Sequence, residues 1–344
     1  MNLLLDTISG EAPPGEIIKG ATQALSSIVE RDMQLIFVGD EKINRKHFRD
    51  LNSGSSQVSY IDAPEHIGME DPPVQAVRRN PRSSLVQGCR FLKDNPGVFI
   101  SPGNTGAVVA ASLLELGRIS GVARPGLAII LPSLSDRSPL LIDVGATTDA
   151  TPLNMAQFAV MGRIYASEVL STDSPRIGLL NIGEEDRKGN QLTKESSTLL
   201  KKLKINYVGN VEPHYILTKP PADVIVCEGF TGNVLLKSFE GGSSGALEFF
   251  KRAVSRSLRA KLGGWLLAPE VNRLREQLSF SQFGAAPLLG VKGTIFVGHG
   301  RSGAPAIKSA ILNSLDAGEW DLPGKISKAM ESMEITEKDI ESSS

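Results

Sequence analysis

VFISPGNTGAVVAASLLEL, from Val98 to Leu116, is the stretch that decides the fold class. Val98 to Ile100 form a short apolar run, Pro102 and Gly103 stop it, and from Thr105 apolar residues recur at spacings of three and four. A buried strand that turns through glycines into an apolar helix is the repeating unit of a parallel sheet with helices on its faces.

The same alternation extends outward in both directions. Strands are predicted at Asn2–Leu5, Met33–Val38, Val58–Ile61, Val98–Ile100, Leu127–Leu131, Leu140–Ile142, Arg176–Leu180, Ile205–Val208, Val224–Val226 and Thr294–Val297, several apolar throughout. Helices are predicted at Gly15–Val29, Thr105–Leu116, Leu153–Val169 and Ala304–Leu315. The class is α/β, a doubly wound, mostly parallel sheet covered by helices on both faces. Residues 1–330 read as one α/β domain, either a continuous sheet or a sheet with an inserted helical subdomain. Residues 331–344, acidic and short of large apolar side chains, read as a disordered tail.

Six predicted strand ends carry glycine with Asp, Asn, Glu or His: Asp6, the 101–106 loop, Asp143 with Gly145, Asn181 with Gly183, Cys227 with Gly229 and Asn233, and Gly298 with His299. Ligands of open α/β sheets lie beyond the carboxyl ends of the strands, so six such ends point to one shared crevice. Gly103, Asn104, Thr105 and Gly106 at a helix start are the leading candidates for holding an anion such as phosphate. Arg79 and Lys188 are candidate cations, and His299 is a candidate hydrogen-bond donor or proton carrier.

Composition removes other classes. The 344 residues, 41% hydrophobic and with a formal net charge of −1, suit a soluble chain with a large core and argue against a nucleic-acid binder. Cys89 and Cys227 cannot form a disulfide framework or a thiolate zinc site, and neither has a neighbouring base in sequence. No signal sequence or apolar run of spanning length occurs, so a cytoplasmic protein is expected. The glycines at 298, 300 and 303 lack the following strand and acidic residue of a dinucleotide site, and no metal spacing occurs. No cofactor or metal is expected.

Residues 246–282 differ from the rest. Lys251, Arg252, Arg256, Arg259, Lys261, Arg273 and Arg275 outnumber Glu248, Glu270 and Glu276, and Leu262, Trp265, Leu266 and Leu267 surround the Gly263–Gly264 pair. Two helices with an apolar tip at the glycines are predicted. This amphipathic hairpin suits an anionic membrane surface, an acidic protein or a dimer interface.

Taken in order, DPPVQAVRR (71–79), SPGNTGA (101–107), LLIDVGA (140–146), GLLNIGEEDRKGN (178–190), CEGFTGNVLLKSFEG (227–241) and HGRS (299–302) resemble the phosphate acyltransferase family (PlsX) of bacterial phospholipid synthesis. The resemblance implies a homodimeric fold similar to the isocitrate and isopropylmalate dehydrogenases, and transfer of a fatty acyl group from acyl carrier protein to inorganic phosphate. It implies peripheral membrane association and delivery of acyl phosphate to a membrane glycerol-3-phosphate acyltransferase. Asn104, Asp143, Lys188 and His299 are then the catalytic candidates, and Asp6, Asn181, Gly183, Gly229 and Asn233 line the crevice. Three segments depart from the family pattern: DTISGE (6–11), the Gly145–Ala146–Thr147 turn and Phe283–Gly284–Ala285. Two rival readings are an impaired family member acting as a binding scaffold and an NAD-dependent dehydrogenase.

Overall fold

The computed structural model describes residues 1–28, 33–51, 58–135, 137–278, 283–319 and 321–333. Its strands are β1 (Asn2–Asp6), β2 (Gln34–Gly39), β3 (Val58–Asp62), β4 (Gly97–Ser101), β5 (Gly126–Ile130), β6 (Leu140–Ile142), β7 (Ile177–Leu180), β8 (Tyr207–Val211), β9 (Val224–Val226), β10 (Ala285–Leu289) and β11 (Thr294–Gly298). Its α-helices are α1 (Pro14–Leu25), α2 (Glu41–Asp50), α3 (Pro73–Arg79), α4 (Ser84–Asp94), α5 (Thr105–Ala111), α6 (Pro152–Glu168), α7 (Gln191–Lys202), α8 (Gly229–Val254), α9 (Leu258–Gln277), α10 (Ala304–Glu319) and α11 (Leu322–Glu331). A π-helical turn, Ser112–Leu116, prolongs α5. The predicted tail lies outside the described residues from 334 onward, and α11 itself reaches Glu331.

All strands join one sheet in the order β3-β2-β1-β4-β11-β10-β5-β6-β9-β7-β8. The neighbours are parallel except where β10 meets β11, β10 meets β5, and β5 meets β6. Tracing these pairings, β1–β4, β11 and β5 point one way, and β6–β9 and β10 point the other. The pattern is close to two-fold about the β10/β5 seam, and it divides the carboxyl ends of the strands between two edges of the sheet.

Strand residues alternate between two apolar layers. Leu4, Ile36, Phe99, Leu141 and Ile225 face a core shared with Leu85, Cys89 and Val108 of α4 and α5, on which Leu235 and Phe239 of α8 also pack. Leu3, Leu5, Leu35 and Ile100 face Ile17 and Ile18 of α1 and Ile307 and Ile311 of α10. Ile142, Leu179 and Val226 face Phe158 and Met161 of α6 together with Leu200 of α7 and Ile326 of α11. Helices therefore cover both faces.

The hairpin is present, with corrections to its extent and tip. It begins at Gly229 rather than 246, and the chain reverses at 255–257, not at the glycine pair. Ser257 starts α9: its Oγ accepts from the Ala260 N–H (3.1 Å) and its carbonyl from the Lys261 N–H. Gly263 and Gly264 stay helical. A methyl on Gly264 would stand 2.9 Å from Val254 Cβ, so glycine lets α9 lie close on the end of α8. Leu262, Trp265, Leu266 and Leu267 consequently sit along α9 and not at a loop, with Trp265 72% exposed, while Arg256 occupies the reversal and Arg259 the first turn. No helix among the described residues is long and apolar enough to cross a membrane.

Candidate active site

The reversed direction of β6–β9 divides the six glycine-bearing strand ends. Asp6, the 101–106 loop and Gly298–Ser302 end strands of one direction. Asp143–Thr147, Asn181–Asn190 and Cys227–Asn233 end strands of the other direction, on the opposite edge of the sheet. The six ends expected to line one crevice are therefore divided between two edges of the sheet. Direction is a property of the whole sheet and cannot be read from any one loop.

On the first edge the buried Asp6 carboxylate accepts from the Ile8 and Ser9 N–H groups (3.1 and 3.2 Å) and from Ser101 Oγ (2.6 Å). Ser101 Oγ in turn accepts from the Gly103 N–H (3.1 Å), so that N–H is already employed inside the loop. Asn104 is the N-cap of α5, its Oδ1 accepting from the Ala107 N–H (3.1 Å). Its Nδ2 donates to the carbonyls of Met69 (2.8 Å) and Asp71 (3.3 Å). The side chain expected to be a free donor is thus a bracket between the loop and the 68–71 segment. Thr105 and Gly106 open α5, where first-turn N–H groups have no partner within the helix. Gly106 also has a packing reason: a Cβ there would stand 2.7 Å from Pro73 Cγ of α3. Arg79 is exposed at the other end of α3. His299 is exposed beside this loop; its Nδ1 accepts from the Arg301 N–H (3.2 Å), which leaves Nε2 to carry the proton of a neutral ring. Glu11 and Arg301 pair across the edge at 3.1 Å.

On the second edge Asp143 is fully buried and organises a turn. Its Oδ1 accepts from Leu127, Gly145 and Ala146 N–H groups (2.9, 3.0 and 3.0 Å), and its Oδ2 from the Thr147 N–H (2.6 Å). Burial pushes this carboxyl above the usual range against the pull of those four donors. Gly229 and Gly232 let α8 approach the turn: a Cβ on Gly229 would lie 2.8 Å from Asp143 Oδ2, and one on Gly232 would lie 1.9 Å from the Asp143 carbonyl oxygen. Asn233, exposed, faces Gly145 from the next turn of α8. Asn181 holds the neighbouring loop by donating to the Lys188 carbonyl (3.2 Å) and accepting from the Ile182 N–H. Lys188 is exposed, its stem lying over Gly183.

Sequence reasoning passed over a cleft of about 720 Å³ on this second edge. Arg118, Arg124, Thr151 and Asn154 line it together with Leu113, Pro125 and Leu153. It touches the Asp143 turn, because Thr147 Oγ1 donates to the Pro125 carbonyl (2.9 Å). The two arginines flanking RISGVARP (118–125) were the available signal. Among the described residues no group of three or more His, Cys, Asp or Glu stands together as a metal site.

The departures from the family pattern are built in. Thr7 Oγ1 donates to the Val38 carbonyl, and Ser9 and Ser84 hydroxyls share a hydrogen bond of 2.8 Å. Gly284 keeps the glycine where it is required: φ is +72° and a Cβ would meet the Ala310 nitrogen at 2.1 Å. Ala285 falls at the start of β10, opposite Gly298.

This two-edged sheet recurs in solved enzymes. A phosphotransacetylase from Streptococcus pyogenes superposes with a TM-score of 0.59 at 13% identity, covering 96% of this chain and 94% of that one. A protein from Salmonella typhimurium assigned as a 4-hydroxythreonine-4-phosphate dehydrogenase superposes with a TM-score of 0.54 at 11% identity, over 92% and 98% of the two chains. The chain thus shares its fold with these two proteins. At the level of sequence, the family described as fatty acid synthesis protein matches residues 1–324. The phosphate acyltransferase of Halothermothrix orenii is 43% identical over 314 residues, 90% of this chain and 93% of that protein. The chain belongs to the phosphate acyltransferase (PlsX) family and is an acyltransferase.

Proposed function

We propose that the protein transfers a fatty acyl group from acyl-acyl carrier protein to inorganic phosphate, with phosphate itself attacking the thioester. A phosphate oxygen forms the new bond to the acyl carbon, the carbon–sulfur bond breaks, and the carrier thiolate leaves and takes up a proton. The observation that carries this reading is the state of the two thiols. Cys89 is sealed in the core, and burial pushes its thiol up to about 12. Cys227 is likewise buried, raised by desolvation and then by Asp143, and its Sγ donates to the Asp143 carbonyl (3.2 Å). Neither supplies a thiolate to take the acyl group, so a mechanism without a cysteine acyl-enzyme fits best. The work left to the protein is positioning phosphate, supporting the developing oxyanion and placing the leaving group.

In this reading phosphate binds at the Thr105 and Gly106 N–H groups, with Asn104 holding the loop and His299 Nε2–H donating beside it. A homodimer, contact with an anionic membrane through the hairpin, and delivery of acyl phosphate to a membrane glycerol-3-phosphate acyltransferase complete the proposal. The exposed Leu262, Trp265 and Leu266 among cations of α9 support the membrane contact. Changing Cys89 and Cys227 together to Ala should leave turnover within a few-fold of wild type. Loss of turnover from a folded double variant, or isolation of a cysteine-linked acyl group, would contradict direct attack.

A further inference from the structure

The cleft beneath α5 brings two arginines together, and the residues assigned to phosphate above do not line it. Arg118 Nη1 donates to the Ala123 carbonyl, which fixes that guanidinium on the wall while leaving its other donors available. Arg124 is exposed and makes no hydrogen bond or ion pair among the described residues. The loop between them is stapled to α6 by buried Gln157, whose Oε1 accepts from the Ala123 N–H (2.9 Å) and whose Nε2 donates to the Gly121 carbonyl (2.7 Å). The two arginines are therefore carried on a rigid loop rather than a mobile one. Opposite them α6, 17 residues long, presents its N-terminus through the Thr151–Asn154 capping box, with the positive end of its dipole toward the cleft. Leu113, Pro125 and Leu153 add apolar walls. Such a lining fits an oxyanion that carries an apolar organic arm better than a bare ion.

Distance says how the two places are connected. From Thr105 to Leu116 the chain runs as 7 residues of α-helix and 5 of π-helix, which at 1.5 Å per residue is roughly 17 Å. The candidate phosphate loop stands at one end of this helix and the arginine cleft at the other.

We propose that the Arg118–Arg124 cleft binds the phosphodiester end of the carrier's phosphopantetheine arm. This inference rests on the reading of the protein as an acyl carrier-dependent transferase. The same oxyanion chemistry could come from inorganic phosphate, and the test separates the two sources. Arg124 is exposed, so Arg124→Gln should fold normally, and its melting temperature checks this.

In steady-state kinetics with acyl carrier protein, Arg124→Gln should raise KM for the carrier about ten- to a hundredfold, the loss expected for one charged hydrogen-bonding group, while KM for phosphate is unchanged. Arg124→Lys should recover part of the loss. In calorimetry without turnover, the wild type should bind 4′-phosphopantetheine and bind pantetheine, which lacks the phosphate, at least tenfold more weakly; Arg124→Gln should bind both alike. A raised KM for phosphate would overturn the proposal in favour of an acceptor site, and unchanged constants would overturn it outright. Equal binding of the two arms by a wild type that turns over would defeat this inference alone. Phosphate-dependent binding of the arm by a protein without turnover would instead defeat the transferase reading.

Discussion

Replacing Asp143 by Asn should destabilise the protein by about 3 kcal/mol. One carboxylate accepts four backbone N–H groups here, three on Oδ1 and one on Oδ2 at 2.6 Å. An amide keeps the Oδ1 acceptor, but its NH2 group then faces the Thr147 N–H, donor against donor, in a fully buried site. An orphaned buried donor costs about 1–3 kcal/mol, and two opposed donors bring the change toward the upper end. That is a large share of the roughly 5–15 kcal/mol by which a folded domain is stable. The turn is also the seat of α8, whose Gly229 and Gly232 rest on Asp143 and Thr147. Urea unfolding followed by circular dichroism measures the effect. A midpoint equal to that of the wild type would show that the turn does not depend on the carboxylate.

The second large effect is on rate rather than stability. Asn104→Ala removes the α5 cap and the donors that tie the loop to the carbonyls of Met69 and Asp71. The cap is worth about 1 kcal/mol of stability. Turnover should fall about a hundredfold, the penalty for a misplacement on the scale of 1 Å in a site that works by positioning. Asn104 is a positioning residue in this account, so KM for phosphate should rise along with the fall in kcat. Asn104→Asp separates its two duties: it keeps the cap acceptor but sets a carboxylate oxygen against the Met69 and Asp71 carbonyls in place of the Nδ2 donors, and its turnover should stay low. Full activity in the Asp variant would mean that only the cap matters.

Much of this architecture was legible because it is local. The predicted strands all occur, since a short apolar run between glycines has few other options in a chain with helical segments of period 3.6. β10 was not visible because Pro287 sits inside it, and proline argues against a central strand. It is tolerated because β5 pairs only with Leu288 and Leu289, which leaves Pro287 beyond that ladder. The hairpin's reversal was hidden for a related reason. Two glycines look like a break, yet an exposed helix can carry them when one gains close packing, while the true stop at 255–257 is marked only by serines.

The functional residues were legible as types but not as a constellation. Asp6, Asn104, Asp143 and Asn181 were singled out at strand ends, and each hydrogen-bonds its own loop. Which loops share an edge depends on β6 entering the sheet antiparallel to β5, a non-local choice with no local signature. The arginine cleft escaped notice because charged turns such as RISGVARP are ordinarily solvated. What distinguishes this one is Gln157, 34 residues from Ala123 in sequence.

Everything proposed for this fold turns on direct attack of phosphate on the thioester of an acyl carrier substrate. Its most direct measurement is formation of acyl phosphate by the purified wild-type protein from long-chain acyl carrier protein and inorganic phosphate, trapped with hydroxylamine as the acyl hydroxamate. Product should accumulate in proportion to enzyme, saturate with phosphate and be absent without it. Folded protein that yields no phosphate-dependent hydroxamate would contradict the account and leave a binding scaffold as the better description.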